Sequence, residues 1–172
     1  MKIFGLNFKL CVLMDMLVKL YQLEVNSALL LNHKQQGIIY RQPLGSETHL
    51  ILDWVKARFS LGWVSEAEIA LYQRPSRCLI AVQNGKLLGF ACYDTAALGL
   101  FGPMGVDADS RGLGIGTILT QLTLEMMKTQ GYAYAVIGWV GPAEFYQRVV
   151  GAIPIPDSFP GLWANRLQLS PS

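Results

Sequence analysis

The sequence predicts a mixed α/β fold, of the α+β kind, around one central sheet, and three observations carry that expectation. Two apolar runs, Cys78 to Val82 and Leu87 to Tyr93, flank Asn84-Gly85, a two-residue turn that favours an antiparallel hairpin. A glycine-rich stretch, Arg111-Gly112-Leu113-Gly114-Ile115-Gly116, passes directly into Ile115, Leu119, Leu122 and Met126 at helical spacing. The nearly uncharged run Tyr132 to Val140 reads as a buried strand, so strands and helices alternate through the second half. At 172 residues the chain has the size of one domain. A more regular pattern begins at Met16, dividing the chain into an extension, 1–15, and a single domain, 16–172.

The elements follow in order. Phe4, Phe8, Cys11, Met14 and Val18 recur at helical spacing and give the opening an apolar face; Met1 and Met16 are both candidate starts. A short strand is expected near Leu17 to Leu23, then a helix from Ser27 to Gln36 stopped by Gly37, then a strand from Ile38 to Gln42 ended by Pro43. Ser46 to Phe59 places Leu50, Ile51, Trp54, Val55 and Phe59 on one side of a helix. Ser65-Glu66-Ala67-Glu68 fits a capping box that opens another helix through Tyr72. Ala97 to Val106 is a strand interrupted at Gly102-Pro103, where proline cannot donate to a ladder and so marks a bulge or an edge. Gly131 stops the long helix Ile115 to Gln130, and Pro142 opens a last helix, Ala143 to Val150.

Composition excludes several classes of function. Apolar residues are 52% of the chain and charged residues 15%, yet Lys9, Asp15, Lys19 and Glu24 interrupt the apolar opening too often for a membrane span or a signal peptide. Three cysteines without a CxxC spacing, and two histidines far from them, suggest neither a disulfide framework nor a metal site, which fits a reducing cytoplasm. A net charge of +2 with no Lys/Arg cluster gives no footprint for nucleic acid. One small anionic ligand remains compatible with the charge.

The glycines point to such a ligand. A dinucleotide loop would need a glycine where Thr117 stands and an acidic residue on the next strand; a nucleotide P-loop would need a lysine that the stretch lacks. What remains is a loop whose backbone N–H groups line an anion pocket at a helix N-terminus.

Arg111-Gly112-Leu113-Gly114-Ile115-Gly116 resembles the [Q/R]-x-x-G-x-[G/A] pyrophosphate loop of the GNAT superfamily of N-acetyltransferases. Downstream, Ala143 to Gly151 is similar to the A-x-x-x-Y-x-x-x-G helix of the same family. The resemblance covers roughly Ile38 to Gly151. It implies a mostly antiparallel sheet in which the strands ending at Val106 and Val140 splay apart, with pantetheine lying along the open edge. It implies acetyl-CoA as co-substrate, held by Met104, Gly105 and Val106 along the strand and by Arg111, Gly112, Leu113, Gly114, Ile115, Gly116 and Thr117 around the pyrophosphate. Trp139 stands where the family often has an asparagine. Indole donates only one hydrogen bond, which suits the wall of an acyl or acceptor pocket; a core aromatic is an equal reading.

The implied chemistry is direct attack by an amine on the thioester, with Tyr146 at the family's general-acid position. The glutamate base common on the strand before the loop is replaced by Leu100, which leaves Asp94, Glu66 and His49 as candidates and Glu68 behind them. Trp54, Phe59 and Trp63 suit either the lining of an acceptor pocket or core packing, and core packing is the preferred expectation. The tail Ala152 to Gly161 is too proline-rich for the family's closing hairpin and leaves an edge open to a dimer partner. The competing expectation, from a different class, is a non-catalytic acyl-CoA-binding module. Neither the acceptor amine nor the base is fixed by these motifs.

Overall fold

The computed structural model describes residues 14–167. Its core is a seven-stranded sheet formed by β1 (Met16–Lys19), β2 (Ile38–Arg41), β3 (Cys78–Gln83), β4 (Lys86–Tyr93), β5 (Leu100–Val106), β6 (Tyr134–Ile137) and β7 (Ile153–Pro154). Their order across the sheet is β2-β3-β4-β5-β6-β1-β7, antiparallel throughout except between β5 and β6. Among the described residues five α-helices flank it: α1 (Ser27–Gln35), α2 (Thr48–Arg58), α3 (Leu61–Tyr72), α4 (Ile115–Thr129) and α5 (Ala143–Val150).

Alternation along the central strands builds two cores. Ile80, Phe90 and Cys92 face α2 and α3, packing on Ile51, Val55, Ala67, Ala70 and Leu71. Leu79, Ala81, Ala91 and Tyr93 face the other way, onto Ile115, Leu119, Leu124 and Met127 of α4. Burying a side chain such as Phe90, fully inaccessible here, contributes about 1.5–3 kcal/mol.

The bulge expected at Gly102-Pro103 is present: Ala91 pairs with Met104 and Tyr93 with Phe101, so Cys92 alone stands opposite Gly102 and Pro103. The close approach of α2's end to β5 depends on a missing side chain. A Cβ at Gly105 would lie 2.5 Å from the Phe59 ring, and that ring is hemmed in by Trp63 at 4.8 Å and Trp54 at 5.8 Å between centroids. Gly105→Ala is therefore expected to cost about 1–3 kcal/mol through overpacking, read as a lowered denaturant midpoint; an unchanged midpoint would mean that Phe59 can retreat.

Several boundaries differ from the sequence expectation. The predicted capping box is absent, because the helix starts a turn earlier: Ser60 is its cap, accepting from the Trp63 amide at 3.3 Å, and Ser65 is already inside it, donating back to the Leu61 carbonyl at 3.3 Å. This register buries Ala67, Ala70 and Leu71 together, and that burial outweighs the local capping pattern. The Leu17 to Leu23 strand stops at Lys19 and continues as a 3₁₀ turn, Leu20–Gln22, whose Leu20 is buried. Val18 lies in β1, not in a helix; Phe4, Phe8 and Cys11 fall outside the described residues. The tail contributes only two residues, Ile153 and Pro154, to the sheet. The position beside β6 is filled instead by β1, so the first described strand closes the edge that the proline-rich tail cannot.

Candidate active site

β5 and β6 pair only at Leu100 with Val136 and Phe101 with Ile137. From Gly102 onward β5 has no strand partner on that side among the described residues, and a groove of about 960 Å³ opens between it and the chain beyond β6. Met104, Gly105 and Val106 line one bank, and Arg111, Gly112, Gly114, Ile115, Gly116 and Thr117 line one end. Leu113 alone of the loop is turned away, its side chain 53% exposed.

The loop's geometry follows from its glycines. Gly114 precedes α4 with φ +83°, a conformation that L side chains rarely adopt, and no side chain caps the helix. The amides of α4's first turn have no carbonyl of their own helix to bond, and with the helix dipole they favour an anion. A side chain at Gly114 would strike Leu29 of α1 at 2.9 Å, whereas one at Gly116 would stand between Val106, at 3.5 Å, and Phe145, at 3.7 Å. Positions 114 and 116 thus face different things, the packed helix behind the loop and the groove in front of it.

Behind the loop lies a polar brace. His33, 1% exposed, bonds the Leu113 carbonyl through Nε2 at 2.8 Å and the Tyr40 hydroxyl through Nδ1 at 2.7 Å. A carbonyl only accepts, so Nε2 carries the proton and Tyr40 donates to Nδ1. No local motif connects His33 with the loop, because the two are 80 residues apart.

Tyr146, 7% exposed, packs edge-on against Phe101 of β5 and Phe145 beside it. Burial pushes its phenol up to about 12, and its hydroxyl is engaged by no described residue. Of the four acidic or basic candidates, only Glu66 lines the groove. Burial raises its carboxyl above the usual range, partly opposed by the neighbouring Thr95 side chain. Asp94 is occupied elsewhere: Arg77 lies 2.8 Å from Oδ2, Tyr132 donates to Oδ2 at 2.9 Å, and the Gly99 amide donates to Oδ1 at 2.6 Å. Its side chain is fully inaccessible and closes the turn before β5. His49 and Glu68 are exposed on α2 and α3, away from the groove. Leu100 does line it, as an apolar residue.

The far bank is aromatic. Trp139 has φ +45°, in the left-handed region, at a cost of roughly 1–2 kcal/mol for a non-glycine residue. Its ring lies 5.6 Å from Trp163 and 5.8 Å from Phe159, with the Arg166 guanidinium 4.5 Å over it. Phe59 and Trp63 do both things the sequence left open: they pack against the α2–α3 core and line the groove opposite, whereas Trp54 is confined to the core. Charged lining residues are Arg111, Arg148 and Arg166 against the single carboxylate of Glu66, a balance that favours an anionic ligand. Among the described residues no cluster of His, Cys, Asp or Glu is suited to hold a metal, and no helix is long and apolar enough to cross a membrane.

The model of the acetyltransferase (GNAT) family matches residues 48–152, well over half of the chain. No curated protein matches its sequence. Among solved structures, the fold is similar to a GCN5-related glucosamine N-acetyltransferase region of a fungal multi-domain GH3 β-N-acetylglucosaminidase, with TM-score 0.70, 17% identity, and 83% of this chain covering 20% of that one. It is also similar to a GCN5-related N-acetyltransferase from Sphaerobacter thermophilus, with TM-score 0.62, 21% identity, and coverage of 83% and 48%. One from Kribbella flavida gives TM-score 0.59, 15% identity, and coverage of 83% and 54%. The chain thus spans about a fifth to a half of the length of these structures.

Proposed function

Because the chain belongs to the GNAT acetyltransferase family, we propose that it transfers the acetyl group of acetyl-CoA directly to a primary amine bound in the groove. The observation that carries this reading is the groove itself, in which an anion-favouring helix end, an unpaired strand edge, a buried phenol and a raised carboxyl share one space. Arg111 and the amides of Ile115, Gly116 and Thr117 would hold the pyrophosphate, and the open edge of Met104 to Val106 would pair with pantetheine. The amine nitrogen attacks the thioester carbon, the C–S bond breaks, the thiolate takes a proton from Tyr146, and the nitrogen gives its surplus proton to Glu66, directly or through one water. Backbone N–H groups along β5 would stabilise the oxyanion.

Burial makes the Glu66 carboxylate a stronger base than an ordinary one, which suits it to take the proton that the attacking amine sheds. The rate should therefore fall on the acid side, through an apparent pKa above the usual carboxylate range, and Glu66→Gln should remove that limb and lower kcat by about 100-fold. The measurement is thiol release from acetyl-CoA across pH, with tryptamine, glucosamine, spermidine and a short peptide as acceptors. If acetyl-CoA binds but no amine raises release above hydrolysis, transfer is excluded and acyl-CoA binding alone remains. If release occurs with an acid limb that Glu66→Gln leaves in place, only the assignment of the base is wrong.

A further inference from the structure

We infer that Asp15 is a positioning residue for the acceptor bank of the groove, holding Trp139 and the tail in the arrangement that presents the Trp139–Trp163 wall, backed by Phe159, to the incoming amine. The inference rests on the acyl-transfer reading above. It starts from an unusual concentration of contacts on one residue. Oδ1 of Asp15 accepts from the Trp139 amide at 2.9 Å across 124 residues of sequence. Its own amide donates to Ser158 Oγ at 2.8 Å, and its carbonyl accepts from the Ile155 amide at 2.9 Å. Ser158 in turn donates to the Ile155 carbonyl at 2.8 Å, and the preceding Met14 carbonyl accepts from Val140 at 2.9 Å. One residue at the head of β1 therefore clamps the end of β6 on one side and the tail on the other.

The wall depends on that clamp for two physical reasons. Trp139 sits in a backbone region that a large side chain avoids, so something must hold it there, and a carboxylate on its amide is a charge-assisted restraint. Between Pro154 and Leu167 the described residues form no further strand and only a short 3₁₀ turn, Gly161–Trp163, so Phe159, Trp163 and Arg166 are placed through Ile155 and Ser158 rather than by a rigid element of their own. Among the described residues the buried Nε1 atoms of Trp139 and Trp163 have no partner, so no hydrogen bond to these residues fixes either ring. Acceptor selection is thus shared between α3, which carries Glu66, and a tail segment tied down by β1. The residues assigned to acyl-CoA in the acyl-transfer reading, Met104 to Val106 and Arg111 to Thr117, are not among the hydrogen-bond partners of Asp15.

The test is the split between the two substrates. Asp15→Ala is expected to raise KM for the acceptor about tenfold, the size of one lost charge-assisted hydrogen bond, while KM for acetyl-CoA changes less than about twofold. Asp15→Asn, which keeps an oxygen for the Trp139 amide, should restore the acceptor KM. The same pair is read without turnover in the near-ultraviolet circular dichroism of the coupled Trp139 and Trp163 indoles, lost in Asp15→Ala and kept in Asp15→Asn. Equal changes in both KM values, or an intact tryptophan signal in Asp15→Ala, would overturn the inference. Trp163→Ala removes the wall without touching β1 and should raise the acceptor KM similarly; an unchanged value overturns the inference even if Asp15→Ala fails to fold. If the unaltered chain turns over none of the four amines, the acyl-transfer reading is what fails. The positioning role is then decided by the tryptophan signal alone.

Discussion

Gly116→Glu is expected to abolish acetyl-CoA binding while the protein keeps its fold. The position is the second residue of α4 with ordinary helical φ, and a Cβ there meets Val106, Phe145 and Met104 at 3.5 to 3.9 Å, which is normal contact distance. A side chain at this point is tolerated by the protein itself but projects into the groove. A carboxylate within about 4 Å of a bound phosphate costs on the order of 4 kcal/mol at the effective dielectric of a protein surface, or roughly a thousandfold in affinity. Gly116→Ala is the control: its methyl fits the same contacts and a helix favours alanine over glycine by about 1 kcal/mol, so binding should persist. Calorimetry with CoA and a thermal melt on both variants decide the matter. Undiminished CoA binding by a folded Gly116→Glu would remove the pyrophosphate from this loop. Gly114 is the poorer position for the experiment, because its side chain would collide with Leu29 and its φ of +83° would be strained. Loss of binding there would not distinguish a blocked site from a displaced loop.

That distinction between two adjacent glycines shows what the sequence could and could not reveal. Spacing placed both on a helix-capping loop, since a turn with positive φ and an apolar stripe of period 3.6 are local properties. Which way each glycine faces depends on α1, packed behind the loop from far away in sequence. The same holds for the sheet. Asn84-Gly85 and the apolar alternation around it forecast the β3–β4 hairpin, and Gly102-Pro103 forecast the bulge, because each is written within a few residues. The replacement of a closing hairpin by β1 was not legible, since a four-residue strand at the chain's start carries no mark of the partner it will find.

The candidate site divides along the same line. Arg111 to Thr117 and Tyr146 were singled out by two local motifs that resemble those of one family, and all of them except Leu113 line the same groove. Asp94 and Glu66 were indistinguishable as sequence, each a lone carboxylate near an element boundary. Only tertiary packing separates them, by surrounding Asp94 with Arg77, Tyr132 and the Gly99 amide and leaving Glu66 in the groove with a raised carboxyl. Asp15 and His33 were invisible for a stronger reason. Each acts on backbone groups, a Trp139 amide and a Leu113 carbonyl, and a backbone partner leaves no residue type to recognise.

Tyr146→Phe is expected to lower kcat by about 100- to 10,000-fold with KM for acetyl-CoA nearly unchanged, the range by which a positioned acid accelerates a reaction. Phenylalanine keeps the ring that packs on Phe101 and Phe145, so the substitution removes a hydroxyl and little else. The hydroxyl has no hydrogen bond to another described residue, so its loss orphans no partner and the melt should barely move. Burial raises the phenol to about 12, which keeps it protonated at neutral pH and ready to donate. A leaving group that needs no proton should reveal the role directly. With an acyl donor whose thiol is far more acidic than that of CoA, such as an acetylated thionitrobenzoate, the variant should recover most of the lost rate, because the thiolate then departs unassisted. Equal impairment with both donors would assign Tyr146 to shaping the groove instead of donating the proton, and an unimpaired variant would take it out of the reaction altogether.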